Sequence, residues 1–445
     1  MDVNAPLPLL GGLSPAQFMR RHWQKQPLLV RQALPGVVPP LPRAALFALA
    51  AQDDVESRLV QRIAIGAKAA ADSFADSAAD HAADHAAERA AERAAGWRVR
   101  PGPLPRRTLP PLSQPGWTLL VQGLDLHVSA AHALLQHFRF VPDARLDDLM
   151  VSWASDGGGV GPHLDSYDVF LLQLHGRRRW RVAPVPQPDQ APWVEGAPLK
   201  ILQHFEPVAE WLLEPGDMLY LPPGWAHDGV AEGECMTGSI GFRAPARDAL
   251  AAELLQRLAE TALDEADPAG PRLYRDPRQA ATDTPGAIPP ALLDFAQDAV
   301  RRLLAEPGAL ARCLGEVLSE PKPQVWFRAD EVLPDAAGRG VIEATAGHGA
   351  IGAVAAVAAV ADTPGAVVLD RATRMLHDAQ HIFINGEAFL AAGRDARLMR
   401  RLADARQLDA RETARLSTGA RALLHAWRRQ GWLHAVSAKN AGATP

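Results

Sequence analysis

The chain has 445 residues, a formal net charge of −5 and only two cysteines. That length allows two or three domains with cores of their own; Cys235 and Cys313 are too few and too far apart for a disulfide framework. The mild acidity excludes a protein that coats nucleic acid non-specifically, although it leaves room for a local basic patch.

In chain order, "LSPAQFMRRHWQKQPLLV" predicts a short helix capped by Ser14, with Pro15 at its first position, running into an apolar strand. This belongs to an N-terminal segment, 1–115, interrupted at 67–95 by a low-complexity Ala-rich insertion. His81 and His85 in that insertion have the i, i+4 spacing of a metal pair but read as a solvated face. From Gly116 the text changes to short apolar runs punctuated by Gly, Pro and Asp, which predicts an antiparallel barrel or jelly roll over 116–246. Within it, "HGRRRWRV" is expected to follow a tight turn at His175–Gly176. Apolar residues at helical spacing then predict a helical module over 247–319. The tail, 320–440, reads as a small helix-and-wing domain: "RMLHDAQHIFINGEAFL" as a hairpin, and "STGARALLHAWRRQGWL" as a helix from Ser417 to near Gly431. A second loose insertion lies at about 344–365, and its "GAIGAVAAVAAVA" is shorter than the ~20 apolar residues that span a bilayer. No membrane span is expected, and with no charged-then-apolar leader the protein is read as cytoplasmic. The "HAWRRQGW" stretch is only modestly basic, so no direct nucleic-acid binding is expected.

The chemistry concentrates in "GGGVGPHLDSYDVFLLQLHGRRRWRV". Strand side chains alternate, so His163 and Asp165 project from one face and can share an ion. A third ligand is available in "LEPGDMLYLPPGWAHDG", where a Pro-Pro-Gly turn precedes His227. Two imidazoles and one carboxylate leave half of a metal's coordination sphere open, as in non-haem Fe(II) oxygenases. Zinc more often takes a closed set of four, or three plus water, and copper more histidines, so iron is favoured. The plainer reading, a hydrogen-bonded His–Asp pair in a strand turn with an unrelated His227, stays open at this point. Alternation also puts Arg178 beside Trp180 and Val182 on the apolar face, with Arg177, Arg179 and Arg181 outside. A guanidinium facing an interior needs an anion: either the far carboxylate of 2-oxoglutarate or a protein carboxylate such as Asp217.

With "SIGFRAP", these segments make the chain resemble the bacterial JmjC-type ribosomal oxygenases, the arginine hydroxylases of large-subunit ribosomal protein sixteen. The likeness runs from "WQKQPLLV" through the barrel into the helical module, and more loosely into the tail. It implies a mainly β core with α modules: a double-stranded β-helix of the jelly-roll, JmjC/cupin-like kind, then a helical dimerisation region and a winged-helix-like C-terminal domain. It further implies Fe(II) on His163, Asp165 and His227, and 2-oxoglutarate on Arg178 with help from Ser152. Asp156, Tyr167 and Ser239 fall on the substrate side, although Asp156 reads equally as a turn-former before Gly157. The implied reaction uses O2 to hydroxylate the β-carbon of an arginine in a large-subunit ribosomal protein, and the implied assembly is a homodimer. The same barrel would serve a histidyl hydroxylase or a lysine demethylase. A metal-binding jelly roll that has lost catalysis and acts as an interaction factor is a third reading, against which the metal trio with Arg178 argues.

Overall fold

The computed structural model describes residues 2–63, 96–264, 272–328 and 365–436, and the chain divides into two units, Met1–Ala244 and Pro245–Pro445. The Ala-rich stretch with His81 and His85, and nearly all of the 344–365 insertion, lie outside the described residues.

The first unit begins as its sequence dictates. Ser14 Oγ accepts from the Gln17 backbone N–H (3.2 Å) and Gln17 Oε1 accepts from the Ser14 N–H (3.0 Å), so a reciprocal capping box starts α1, Pro15–Arg21. Strand β1, Leu28–Val30, follows. Three more helices, α2 (Arg43–Leu49), α3 (Leu124–His127) and α4 (Ser129–Gln136), are interleaved with the strands β2 (Ser57–Arg62), β3 (Trp97–Pro101), β4 (Trp117–Val121) and β5 (Leu146–Ala154). The barrel continues through β6 (His163–Leu164), β7 (Val169–Pro184), β8 (Ala209–Leu213), β9 (Met218–Leu221) and β10 (Trp225–Phe242). The hydrogen-bonded order is β1-β9-β7-β10-β5-β4-β2-β3, with β6 on β10 and β8 on β7. This is the expected jelly roll, wrapped around two long antiparallel strands.

Those two strands differ from the sequence expectation. No tight turn breaks the chain at His175–Gly176; β7 runs unbroken for 16 residues and β10 for 18. Instead the pair is irregular at its middle. Gln173 faces Thr237 and His175 faces Met236, so β7 carries one extra residue there, while β10 makes an excursion between Glu232 and Met236 opposite Gly176. The extra residue switches the parity of β7. Val169 and Leu171 face the barrel's interior before it, and Trp180 and Val182 after it, in one apolar cluster. The first half of β7 pairs with β9 and the second with β8, which is how one ladder serves two sides of the barrel. A larger core lies on the other side, where Phe18 and Trp23 meet Phe138, Phe170, Tyr220 and Phe242.

The second unit opens with α5 (Arg247–Asp264), α6 (Pro290–Ala305) and α7 (Ala309–Ser319). α6 buries none of its residues. α7 packs against α5 through Cys313, Ala309 and Leu258, and also lies on the tail's sheet, where a Cβ on Gly315 would stand 2.3 Å from the Phe383 ring. The tail holds β11 (Val367–Leu369), β12 (Met375–His377), β13 (His381–Ile384), β14 (Glu387–Leu390), α8 (Asp395–Ala405), β15 (Gln407–Leu408), α9 (Ala410–Arg415), α10 (Thr418–Arg429) and β16 (Leu433–Ala435). Where the sequence predicts one hairpin there is a three-stranded meander, β12-β13-β14. One turn is at Asn385–Gly386, both in the left-handed region; the other forms where the Asp378 carboxylate accepts from the Gln380 and His381 N–H groups (2.7 and 2.6 Å). α10 begins and ends as expected, with Ser417 Oγ accepting from Ala420 N–H and Gly431 in the left-handed region. Leu402, Trp427 and Leu433 centre its core.

Candidate metal centre

Strand β6 is two residues long and pairs with the start of β10, so that His163 and His227 are direct cross-strand partners. Their ring centroids are 4.2 Å apart. Asp165 follows β6 and returns to the same point, with Oδ2 3.6 Å from His227 Nε2. One ligand atom from each of the three lies within 4.8 Å of the others, and this is the one such cluster among the described residues. Each imidazole is oriented from behind. His163 Nδ1–H donates to Gly161 O (2.8 Å) and His227 Nδ1–H to Trp225 O (3.2 Å). Carbonyls only accept, so the proton must sit on Nδ1 and the lone pair of each Nε2 is left for an ion. Burial, then the neighbouring His163, pushes the His227 pKa down to about 4. A neutral imidazole beside a carboxylate is the state a divalent cation requires.

The trio opens into a cavity of about 360 Å³ lined by Val169, Leu171, Trp180, Ser152, Thr237 and Arg178 among others. Arg178 is 3 % exposed. Its Nη1 donates to Ser152 Oγ (3.1 Å) and Thr237 Oγ1 (3.4 Å), its Nη2 to Gly229 O (3.1 Å), and its Nε has no partner among the described residues. Trp180 packs along it, 5.0 Å from the guanidinium carbon to the ring centroid. A Cβ on Gly229 would stand 2.6 Å from Trp180 and 2.8 Å from Arg178 Nε, so only glycine fits behind the pair. Burial lowers the Arg178 pKa, the cost of desolvating a cation whose hydrogen-bond partners are all neutral, and Asp228 opposes it only at a distance. Asp217 is not its counter-ion: it binds Arg31 (2.6 Å) and the backbone N–H groups of Gln32 and Glu214.

Tyr167 and Ser239 both line the cavity. Tyr167 stands at the rim, 38 % exposed; burial of the rest of it, then Asp165 and Asp148, pushes its phenol upward. Asp156 is not brought to the cavity. It is exposed, and its Oδ1 accepts from the Gly233 N–H (2.8 Å), tying its loop to the β10 excursion rather than forming a local turn. Sequence reasoning missed Thr237 and the Asp147–Asp148 pair at the cavity wall, and Gln173 behind Thr237. Gln173 and Thr237 carried a signal: polar residues at strand positions whose neighbours are apolar.

Residues 133–250 match the JmjC domain family and residues 302–434 the ROXA-like winged helix. Ribosomal protein uL16 3-hydroxylase of Escherichia coli (strain K12) is 32 % identical over 339 residues, 73 % of this chain and 78 % of that relative. The chain belongs to the JmjC ribosomal-oxygenase family. The crystal structure of E. coli YcfD superposes with a TM-score of 0.71 at 27 % identity, covering 94 % of this chain and 97 % of that one. A YcfD structure holding cobalt and 2-oxoglutarate superposes at 0.67 and 26 % identity, covering 96 % and 99 %. The double-stranded β-helix and the C-terminal winged helix are therefore family features. No helix among the described residues is long and apolar enough to cross a membrane.

Proposed function

We propose that this chain is an Fe(II)- and 2-oxoglutarate-dependent oxygenase that hydroxylates the β-carbon of an arginine in a large-subunit ribosomal protein, and so works in the cytoplasm. Arg178 carries this reading: a buried guanidinium with a free Nε donor and only neutral partners in hydrogen-bond reach, in the same cavity as a two-histidine, one-carboxylate cluster. A dicarboxylate that chelates a metal at one end and ends in a second carboxylate satisfies both features at once. When bound, iron and 2-oxoglutarate supply the activation of O2 and the oxygen delivered to carbon.

The protein's own residues hold and orient. His163 and His227 offer Nε2 and Asp165 a carboxylate oxygen, each imidazole being held by a backbone carbonyl. Arg178 and Ser152 hold the far carboxylate, while Val169, Leu171 and Trp180 keep water from it. At the other end Asp148 Oδ1 and the Tyr167 ring come together beside Gly241, 3.8 and 3.9 Å from where its Cβ would be. Asp147 and Ser239 line the same cavity, which Arg58 and Lys200 also line.

The helical segment supports the inferred homodimer. α6 is amphipathic yet exposes Leu293 at 53 %, Val300 at 55 % and Leu304 at 47 %, a stripe that needs a cover.

The test is intact-mass analysis of ribosomal proteins incubated with the enzyme, Fe(II), 2-oxoglutarate and air. One added oxygen on an arginine is expected, and none with Asp165→Ala, which should remain folded because it removes a ligand and no core packing. Absence of the product on every ribosomal protein, with iron shown to be bound, would sink the reading.

A further inference from the structure

Three polar side chains stand in one row across three strands beneath the cavity. Thr237 on β10 is the register partner of Ser152 on β5 and of Gln173 on β7. Gln173 is fully buried. Its Nε2 donates to His175 O (2.8 Å) and Gly176 O (3.3 Å). Both partners can only accept, which fixes the amide: Nε2 points along β7 and Oε1 points at Thr237. Thr237 Oγ1 must then donate its single proton to Gln173 Oε1 (3.0 Å) and turn its lone pairs toward Arg178 Nη1. Ser152 is oriented separately: its hydroxyl accepts from Arg178 and donates to the Thr237 backbone O over a long 3.4 Å, a proton that a bound carboxylate can draw instead. The amide of Gln173 thus sets the polarity of the Thr237 hydroxyl.

The two carbonyls Gln173 grips lie on the far side of the extra residue in β7. That irregularity is what turns Arg178 inward: odd-numbered Val169 and Leu171 line the cavity before it, with Gln173 on the same face reaching Thr237, and even-numbered Arg178 and Trp180 line it after. Gln173 therefore ties the bulge shut and aims the Thr237 hydroxyl that meets the guanidinium.

We propose that Gln173 is a positioning residue for the co-substrate: acting through Thr237 and the β7 bulge, it presents Arg178 to the far carboxylate of 2-oxoglutarate. This rests on the proposed oxygenase reading. The experiment is a titration of Co(II)-loaded protein with 2-oxoglutarate, followed by tryptophan fluorescence, since Trp180 stacks on Arg178. Gln173→Leu and Thr237→Val should each weaken 2-oxoglutarate binding about tenfold while leaving Co(II) binding unchanged, and Thr237→Ser should bind as the parent does. In turnover the same variants should raise KM for 2-oxoglutarate with kcat retained. If Gln173→Leu fails to fold, the Thr237→Val and Thr237→Ser pair decides the matter. Folded variants that bind 2-oxoglutarate like the parent, or that lose Co(II) and 2-oxoglutarate in equal measure, would overturn the proposal. A parent protein that binds Co(II) but no 2-oxoglutarate would instead overturn the oxygenase reading beneath it.

Discussion

His227 is held neutral by its surroundings, and that has a measurable cost. Its pKa in the folded, metal-free protein is about 4, below the ordinary histidine value of about 6.5. Between those two values the unfolded chain takes up a proton that the folded chain refuses. Stability therefore falls as pH drops through that window, by roughly 3 kcal/mol across it. Urea unfolding of the metal-free protein at pH 7 and pH 4.5 should show the loss, and His227→Gln should flatten it; equal slopes for both proteins would remove His227 as the cause. At this scale the sequence was largely legible. His163, Asp165, His227, Arg178 and Ser152 all converge, because strand alternation is a local rule and each residue sits on a short regular stretch. Asp156 misled because a carboxylate before a glycine run looks the same whether it serves a ligand or the Gly233 N–H.

Among the elements, the paired irregularity in β7 and β10 matters most. Gly176 has φ +61°, and a Cβ there would stand 2.1 Å from the Glu234 carbonyl oxygen. Backbone cannot move aside as a side chain does, so Gly176→Ala should destabilise the protein by ~3 kcal/mol or more, read as a lowered thermal midpoint. A midpoint within a degree of the parent would show that the excursion relaxes freely. This part of the fold was illegible in the sequence. "HGRRRWRV" looks like the far side of a turn because His-Gly breaks the apolar pattern, and only pairing with β10 makes the break a bulge inside one strand. The inward direction of Arg178, Trp180 and Val182 was still readable, because alternation restarts after the bulge. Gln173 was not, since its role depends on partners on other strands. The meander at 375–390 shows the same limit: Asn385–Gly386 announces its turn, whereas the Asp378 turn depends on carboxylate contacts that no dipeptide advertises.

For the whole molecule, an uncovered apolar stripe on α6 predicts self-association. Light scattering should give about twice the 47.8 kDa chain mass, and Leu293→Asp combined with Leu304→Asp should return a monomer. A parent protein that stays monomeric at micromolar concentration would exclude the dimer.

The way the N-terminal segment is fastened bears on the order in which the protein can be made. β1 zips onto β9, and the Gln24 N–H donates to the hydroxyl of Tyr220, 196 residues further along the chain (2.8 Å). Gln24 Nε2 and the Tyr220 hydroxyl then donate to the buried Asp168, on the loop that carries Asp165 (3.0 and 2.6 Å). During synthesis α1 and β1 precede their partner strand and wait, with Leu10 and Phe18 uncovered, until the strand bearing Tyr220 has been made. This early segment can dock only once β9 exists, and docking it ties down Asp168 on the loop of the metal ligands. Completion of the site thus reports that the whole barrel has been translated.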